Sequence, residues 1–143
     1  DGRIQITGYA WEKHVDHLTD EICGLWARYR VKRHTQERNP DKGYSMANLE
    51  SAASRKGLGI RFSKDAQGKP GYMESTNKHR KIVSHLLHHW GNLVWDSDCQ
   101  EDYLDQILNY MEGEEPDDAP DSAASLLREF FDDTKAQSQN WRL

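Results

Sequence analysis

Residues Thr76–Trp95 read TNKHRKIVSHLLHHWGNLVW. Ile82, Val83, Leu86, Leu87, Trp90, Leu93 and Val94 recur at steps of three and four, with neighbours doubling the row. That is the period of a helix with a wide apolar face. Thr76 or Asn77 supplies its N-cap. A face this broad belongs at the centre of a core, so the stretch is expected as the main helix of a mainly α protein.

Working outward, residues 9–38 carry a second stripe. Trp11, Val15, Leu18, Ile22, Leu25 and Tyr29 recur at helical spacing, with Trp26 beside them and Gly24 inside. The stripe fades after Val31, and Asn39-Pro40-Asp41-Lys42-Gly43 supplies a stop and a turn. Residues 45–56 suggest a shorter helix with Ser45 as cap, Gly57 at the position after its end, and Met46, Leu49 and Ala53 inward. In residues 58–73, Ile60-Arg61-Phe62 and Gly71-Tyr72-Met73 flank a turn-rich run. This is expected as a small β-hairpin or Gly-rich loop inserted between helices 2 and 3. A fourth helix is expected over 97–111, facing inward through Tyr103, Leu104, Ile107, Leu108 and Met111. Residues 3–7 alternate polar and apolar, as a short strand or an extended arm does.

The expected architecture is a four- to five-helix single domain over 1–111. An acidic linker over 112–121 that should not pack, and an acidic amphipathic helix and tail over 122–143, follow it. The core is expected at Trp11, Leu18, Ile22, Leu25, Trp26, Ile82, Leu86, Trp90 and Leu93. A chain of 143 residues with 36% hydrophobic and 30% charged residues suits a small, well-solvated domain. No apolar run reaches the ~18–20 residues that span a bilayer, and no signal peptide is visible, so no membrane partner is expected. Two cysteines, Cys23 and Cys99, are too few for a disulfide scaffold. Free thiols in a reducing intracellular compartment, cytoplasmic or nuclear, are expected.

Charge is sorted along the chain. Residues 28–81 hold 14 Lys+Arg against 5 Asp+Glu, while residues 96–143 hold 3 against 14. Arg28, Arg30, Lys32, Arg33 and Arg38 end the first helical stretch. Arg55, Lys56, Arg61, Lys64 and Lys69 surround the turn-rich run, and Lys78, Arg80 and Lys81 open the central helix. Brought together, these cations would hold a phosphate backbone and release its counterions. Tyr29, Tyr44, Phe62 and Tyr72, interleaved among them, would stack on bases. The expected function is therefore non-enzymatic nucleic-acid binding, modulated by the acidic C-terminal segment. The alternative is a protein-interaction or assembly domain, self-association included. There Leu126, Leu127, Phe130 and Phe131 of the last helix, set among acids, form the partner-binding face.

Other chemistry finds little support. Ala53-Ser54-Arg55-Lys56-Gly57-Leu58 resembles the Ala-x-x-x-Gly-apolar turn of helix-turn-helix proteins over six residues. The second helix of that motif would begin at Gly59 and run into Asp65-Ala66-Gln67-Gly68, a poor helix, so the motif is not assigned. His14 with His17, and His85 with His89, share helix faces, but a structural metal site needs about four ligands. No phosphate-cradling loop and no nucleophile elbow is present. No catalytic residue, metal or cofactor is expected.

Overall fold

The computed structural model describes residues 2–38 and 44–140, the side chains of 133–140 excepted. The expected turn at 39–43 lies outside the described residues. In chain order the elements are β1 (Ile4–Ile6), α1 (Thr19–Arg28), β2 (Arg33–His34), α2 (Tyr44–Arg55), β3 (Arg61–Phe62), α3 (Lys78–Lys81), β4 (Leu93–Trp95), α4 (Glu101–Leu108) and α5 (Asp118–Asn140). The protein is mainly helical, with short strands. Among the described residues, no helix is long and apolar enough to cross a membrane.

Where one domain was expected, the chain divides into two compact units: Asp1–Trp11 with Thr76–Leu143, and Glu12–Ser75. The cause is a pairing that local periodicity cannot reveal. β1 lies parallel to β4, with Ile4 opposite Leu93 and Ile6 opposite Trp95. The N-terminal strand thus belongs with the second half of the chain, and Glu12–Ser75 forms an insert.

In the discontinuous unit, Asn77 caps α3 by accepting from the Arg80 amide at 3.0 Å. The helix runs directly into π-helical turns over Ile82–Leu87, where the His88 amide donates to the Val83 carbonyl at 3.1 Å. Ile82 and Leu86 are fully buried. The expected helix over 76–95 does not reach its end. Gly91 and Asn92 sit in a 3₁₀ turn, and Leu93–Trp95 becomes β4 because β1 satisfies its backbone. Half of the wide stripe is therefore exposed: Val83, Leu87, Trp90 and Val94 face outward. Trp90 and Trp11, both expected in the core, are surface residues.

The core of this unit gathers Ile6, Ile82, Leu86, Tyr103, Ile107, Ala119, Ala123, Ala124 and Leu127. Gly8 allows the Tyr103 ring to approach: a Cβ there would lie 2.1 Å from it. The Tyr103 hydroxyl pKa is pushed up to about 12 by burial, although a hydrogen bond with Ser122 opposes the shift. α5 begins inside the stretch expected as a non-packing linker, and Ala119 and Pro120 are already buried there.

The Glu12–Ser75 unit holds its own core of Cys23, Trp26, Leu49, Ala52 and Ala53, from α1 and α2. Helix 9–38 is shortened at both ends. A 3₁₀ turn at Val15–His17 precedes α1, and beyond Arg28 a turn at Tyr29 and Arg30 leads the chain into β2. β2 pairs parallel with β3, placing Arg33 opposite Arg61 and His34 opposite Phe62. Beyond β3, an antiparallel bridge between Lys64 and Pro70 closes a turn in which the Asp65 amide donates to the Lys69 carbonyl at 2.8 Å. Both cysteines are free; Cys23 is buried and Cys99 half-buried. Burial pushes the Cys23 thiol pKa up.

Candidate nucleic-acid interface

Ten of the thirteen cations singled out in the sequence lie in the Glu12–Ser75 unit. The other three, Lys78, Arg80 and Lys81, belong to the discontinuous unit. Lys81 is no surface residue: it is 1% exposed, and its ammonium lies 2.7 Å from Asp121 Oδ1. Lys78 donates to Asp117 at 2.7 Å, which raises its pKa. These lysines oppose the α3 dipole, and carboxylates at the start of α5 compensate them. Acids expected in a non-packing linker therefore dock a core helix. Of the expected partner-binding residues, Leu127 is buried and Phe131 stacks on His89 at 3.9 Å, while Leu126 and Phe130 are exposed.

In the insert, β2 sorts its side chains by alternation. His34 Nε2 lies 3.2 Å from Gln36 Oε1, and the Gln36 amide donates to Ser45 Oγ at 3.0 Å, so even positions face α2. There His34 packs among Trp26 and Phe62, with ring centroids 5.0 and 5.3 Å away. Phe62, expected as a stacking residue, is thus part of this inner cluster. Burial pushes the His34 pKa down, against a smaller opposing effect of Gln36.

Odd positions take the other side. Arg33 stands in register with Arg61, and Arg33 Nε donates to Ser63 Oγ at 2.9 Å. Glu37 stands in register with Tyr72 through a further parallel bridge. Arg61, Lys64 and Lys69 are exposed, and none makes an ion pair among the described residues. Arg30 and Lys32 are likewise exposed and unpaired among the described residues.

The remaining cations are otherwise engaged. Arg38 is paired with Asp65, and Lys56 lies 3.0 Å from Asp20. The Arg28 guanidinium sits 5.4 Å from the centre of the Tyr29 ring. Arg55 lines a polar cavity of about 390 Å³ with Asp16, His17, Thr19, Asp20, Asn48 and Ser51.

Arg30 has an unusual backbone. It adopts φ 52°, where L side chains crowd the carbonyl. It is also the residue just past α1: its amide donates to Ala27, and the Val31 amide reaches back to Trp26 at 2.9 Å. That is the Schellman pattern, whose left-handed position usually holds Gly. The end of α2 repeats it with Gly57 at φ 68°, the Leu58 amide donating to Ala53 at 2.9 Å. No second helix follows Gly57; the chain runs on to β3.

Sequence reasoning missed the residues that shape this face. Ser63 anchors Arg33, and Asp65 orders the turn by accepting from the Gln67 and Lys69 amides at 2.9 Å. Its carboxyl pKa is held down, first by the Lys69 amide and then by Arg38. The signal lay in Asp65-Ala66-Gln67-Gly68, an Asx-turn sequence. Gly71 is required at φ 71°, where a Cβ would meet the Gln36 carbonyl at 2.4 Å. Among the described residues, no group of three or more His, Cys, Asp or Glu could hold a metal ion. No protein-family model, curated protein or solved structure matches this chain.

Proposed function

We propose that the Glu12–Ser75 unit is a nucleic-acid-binding module. It would grip the phosphate backbone through Arg30, Lys32, Arg33, Arg61, Lys64 and Lys69, and act in an intracellular compartment as a binding module rather than a catalyst. The observation that carries this reading is the β2–β3 register, with Arg33 beside Arg61 on the sheet side opposite the half-buried His34 and Phe62. Cations flank that pair before β2 and beyond β3. Arg30 adds support: a residue tolerated in a strained conformation suggests that its side chain is needed.

The test is a salt titration of binding to labelled DNA and RNA oligonucleotides, read by fluorescence anisotropy. Each phosphate contact contributes about 0.9 to the slope of log affinity against log salt on duplex DNA and about 0.7 on single strands. The double variant Arg30→Gly, Arg61→Ala is expected to lower affinity and flatten that slope by about two. An unchanged slope in a folded variant refutes these contacts.

A second reading is favoured by α5. Leu126 and Phe130, four residues apart on one helix face, are 51% and 49% exposed. In this reading the discontinuous unit docks a protein, a second copy included. Sedimentation of wild type against Leu126→Glu separates the two: a stoichiometric complex lost in the variant supports it, and a concentration-independent monomer opposes self-association.

A further inference from the structure

We infer that the nucleic acid held by the insert is single-stranded, with one unpaired base stacked on Tyr72 and the guanidinium planes of Arg33 and Arg61 meeting the strand further along the same side. This rests on the phosphate-binding reading above and adds the form of the ligand.

Strand alternation supplies the argument. His34 and Gln36 are committed to the side of α2, so Arg33, Thr35 and Glu37 project to the opposite side. β3 adds Arg61 and Ser63 there, since Arg61 is the register partner of Arg33 and Ser63 bonds Arg33. Tyr72 joins the same side as the register partner of Glu37. Its backbone locks it in place: the Tyr72 amide donates to the Gln36 carbonyl at 3.0 Å, and its carbonyl accepts from the Arg38 amide at 2.8 Å. Gly71 permits that approach through its positive φ.

The result is a narrow strip of sheet with an aromatic ring at one end and two planar cations at the other. From residue 33 to residue 37 it extends roughly 13 Å, four residues at the usual strand rise. A duplex keeps its base faces inside the stack and offers only edges and phosphates. A single strand exposes those faces, and rings and guanidinium planes bind them irrespective of sequence. Flanking Lys64 and Lys69 are flexible point charges suited to the backbone on either side of a splayed base.

The experiment compares single-stranded DNA, single-stranded RNA and the corresponding duplex, each about 12 nucleotides long, by anisotropy at two salt concentrations. Wild type, Tyr72→Leu and Tyr72→Phe are measured, with circular dichroism to verify folding. Single strands are expected to bind about ten-fold more tightly than the duplex. Tyr72→Leu should erase that preference without changing the salt slope, and Tyr72→Phe should retain it. Equal or tighter binding of the duplex overturns the inference, as does a folded Tyr72→Leu variant with undiminished preference for single strands. In those two cases a steep salt slope leaves the phosphate-binding reading standing. No binding of any oligonucleotide at low salt overturns both.

Discussion

Lys81 and Arg30 come from the same basic block of sequence, yet they serve opposite ends. Lys81 is buried, and its ammonium is matched by Asp121 at 2.7 Å. Arg30 is exposed, unpaired among the described residues, and held at a φ that suits glycine. The first is a cation that the fold requires. The second is a cation that the fold tolerates at some cost. A run of positive charge in sequence is therefore not a surface; burial and pairing decide which members are left to face a ligand.

The strongest way to break the contrast is to remove a partner of the buried pair. Asp121→Ala would leave the Lys81 ammonium inside the core without its carboxylate. Breaking a buried ion pair in this way costs about 3–5 kcal/mol, enough to unfold many small domains. The double variant Lys81→Met, Asp121→Leu removes both charges and is expected to recover most of that loss. Urea denaturation measures both; a loss below about 1 kcal/mol for Asp121→Ala would show that the pair does little, as surface pairs do.

The two ends of α1 and α2 sharpen the contrast further. Both close by the same hydrogen-bond pattern, one with Arg30 and one with Gly57. Exchanging the residues should move stability in opposite directions. Arg30→Gly should stabilise the insert by about 0.5–1 kcal/mol, since glycine carries no Cβ penalty there. Gly57→Arg should destabilise it by a similar amount. Only Arg30→Gly should also weaken oligonucleotide binding. A variant that is more stable and binds less tightly is hard to explain by damage to the fold. Denaturation midpoints and anisotropy on the same samples decide the matter.

What was legible in the sequence follows the range of each signal. α2 and its glycine end were readable because stripe and stop are both local, although Ser45, expected as the cap, lies inside the helix, buried and accepting from Gln36. So was the strand at Ile4–Ile6, though not its partner, which lies 89 residues away in register. The stripe through Trp11 and Val15 promised one helix, but the chain passes from one unit to the other between Trp11 and Glu12. Helical periodicity cannot register such a crossing. At the interface, the cations were visible as residue types. Their sorting into paired and unpaired groups depended on Asp117, Asp121 and the β2–β3 register, all of them long-range facts.

The finest division lies within β2, between adjacent residues. Arg33 serves the outer side, and His34, half-buried, packs on the inner one between Trp26 and Phe62. Burial depresses the His34 pKa, so the native insert holds this ring neutral where the unfolded chain would protonate it. Below the unfolded value of about 6.5 the unfolded state binds more protons, and stability falls with falling pH. Above that value the contribution is fully present. Hydrogen exchange at the Trp26 amide, taken from pH 7.5 down to pH 5.5, should therefore reveal a progressive loss of protection after correction for intrinsic exchange. His34→Phe keeps an aromatic ring in the cluster but cannot titrate, so its stability should be flatter across that range. An equally steep fall in the variant would assign the pH dependence to other groups. Because His34 and Arg33 face opposite ways, His34→Phe should leave the salt slope of oligonucleotide binding unchanged, which tests the alternation on which the proposed interface depends.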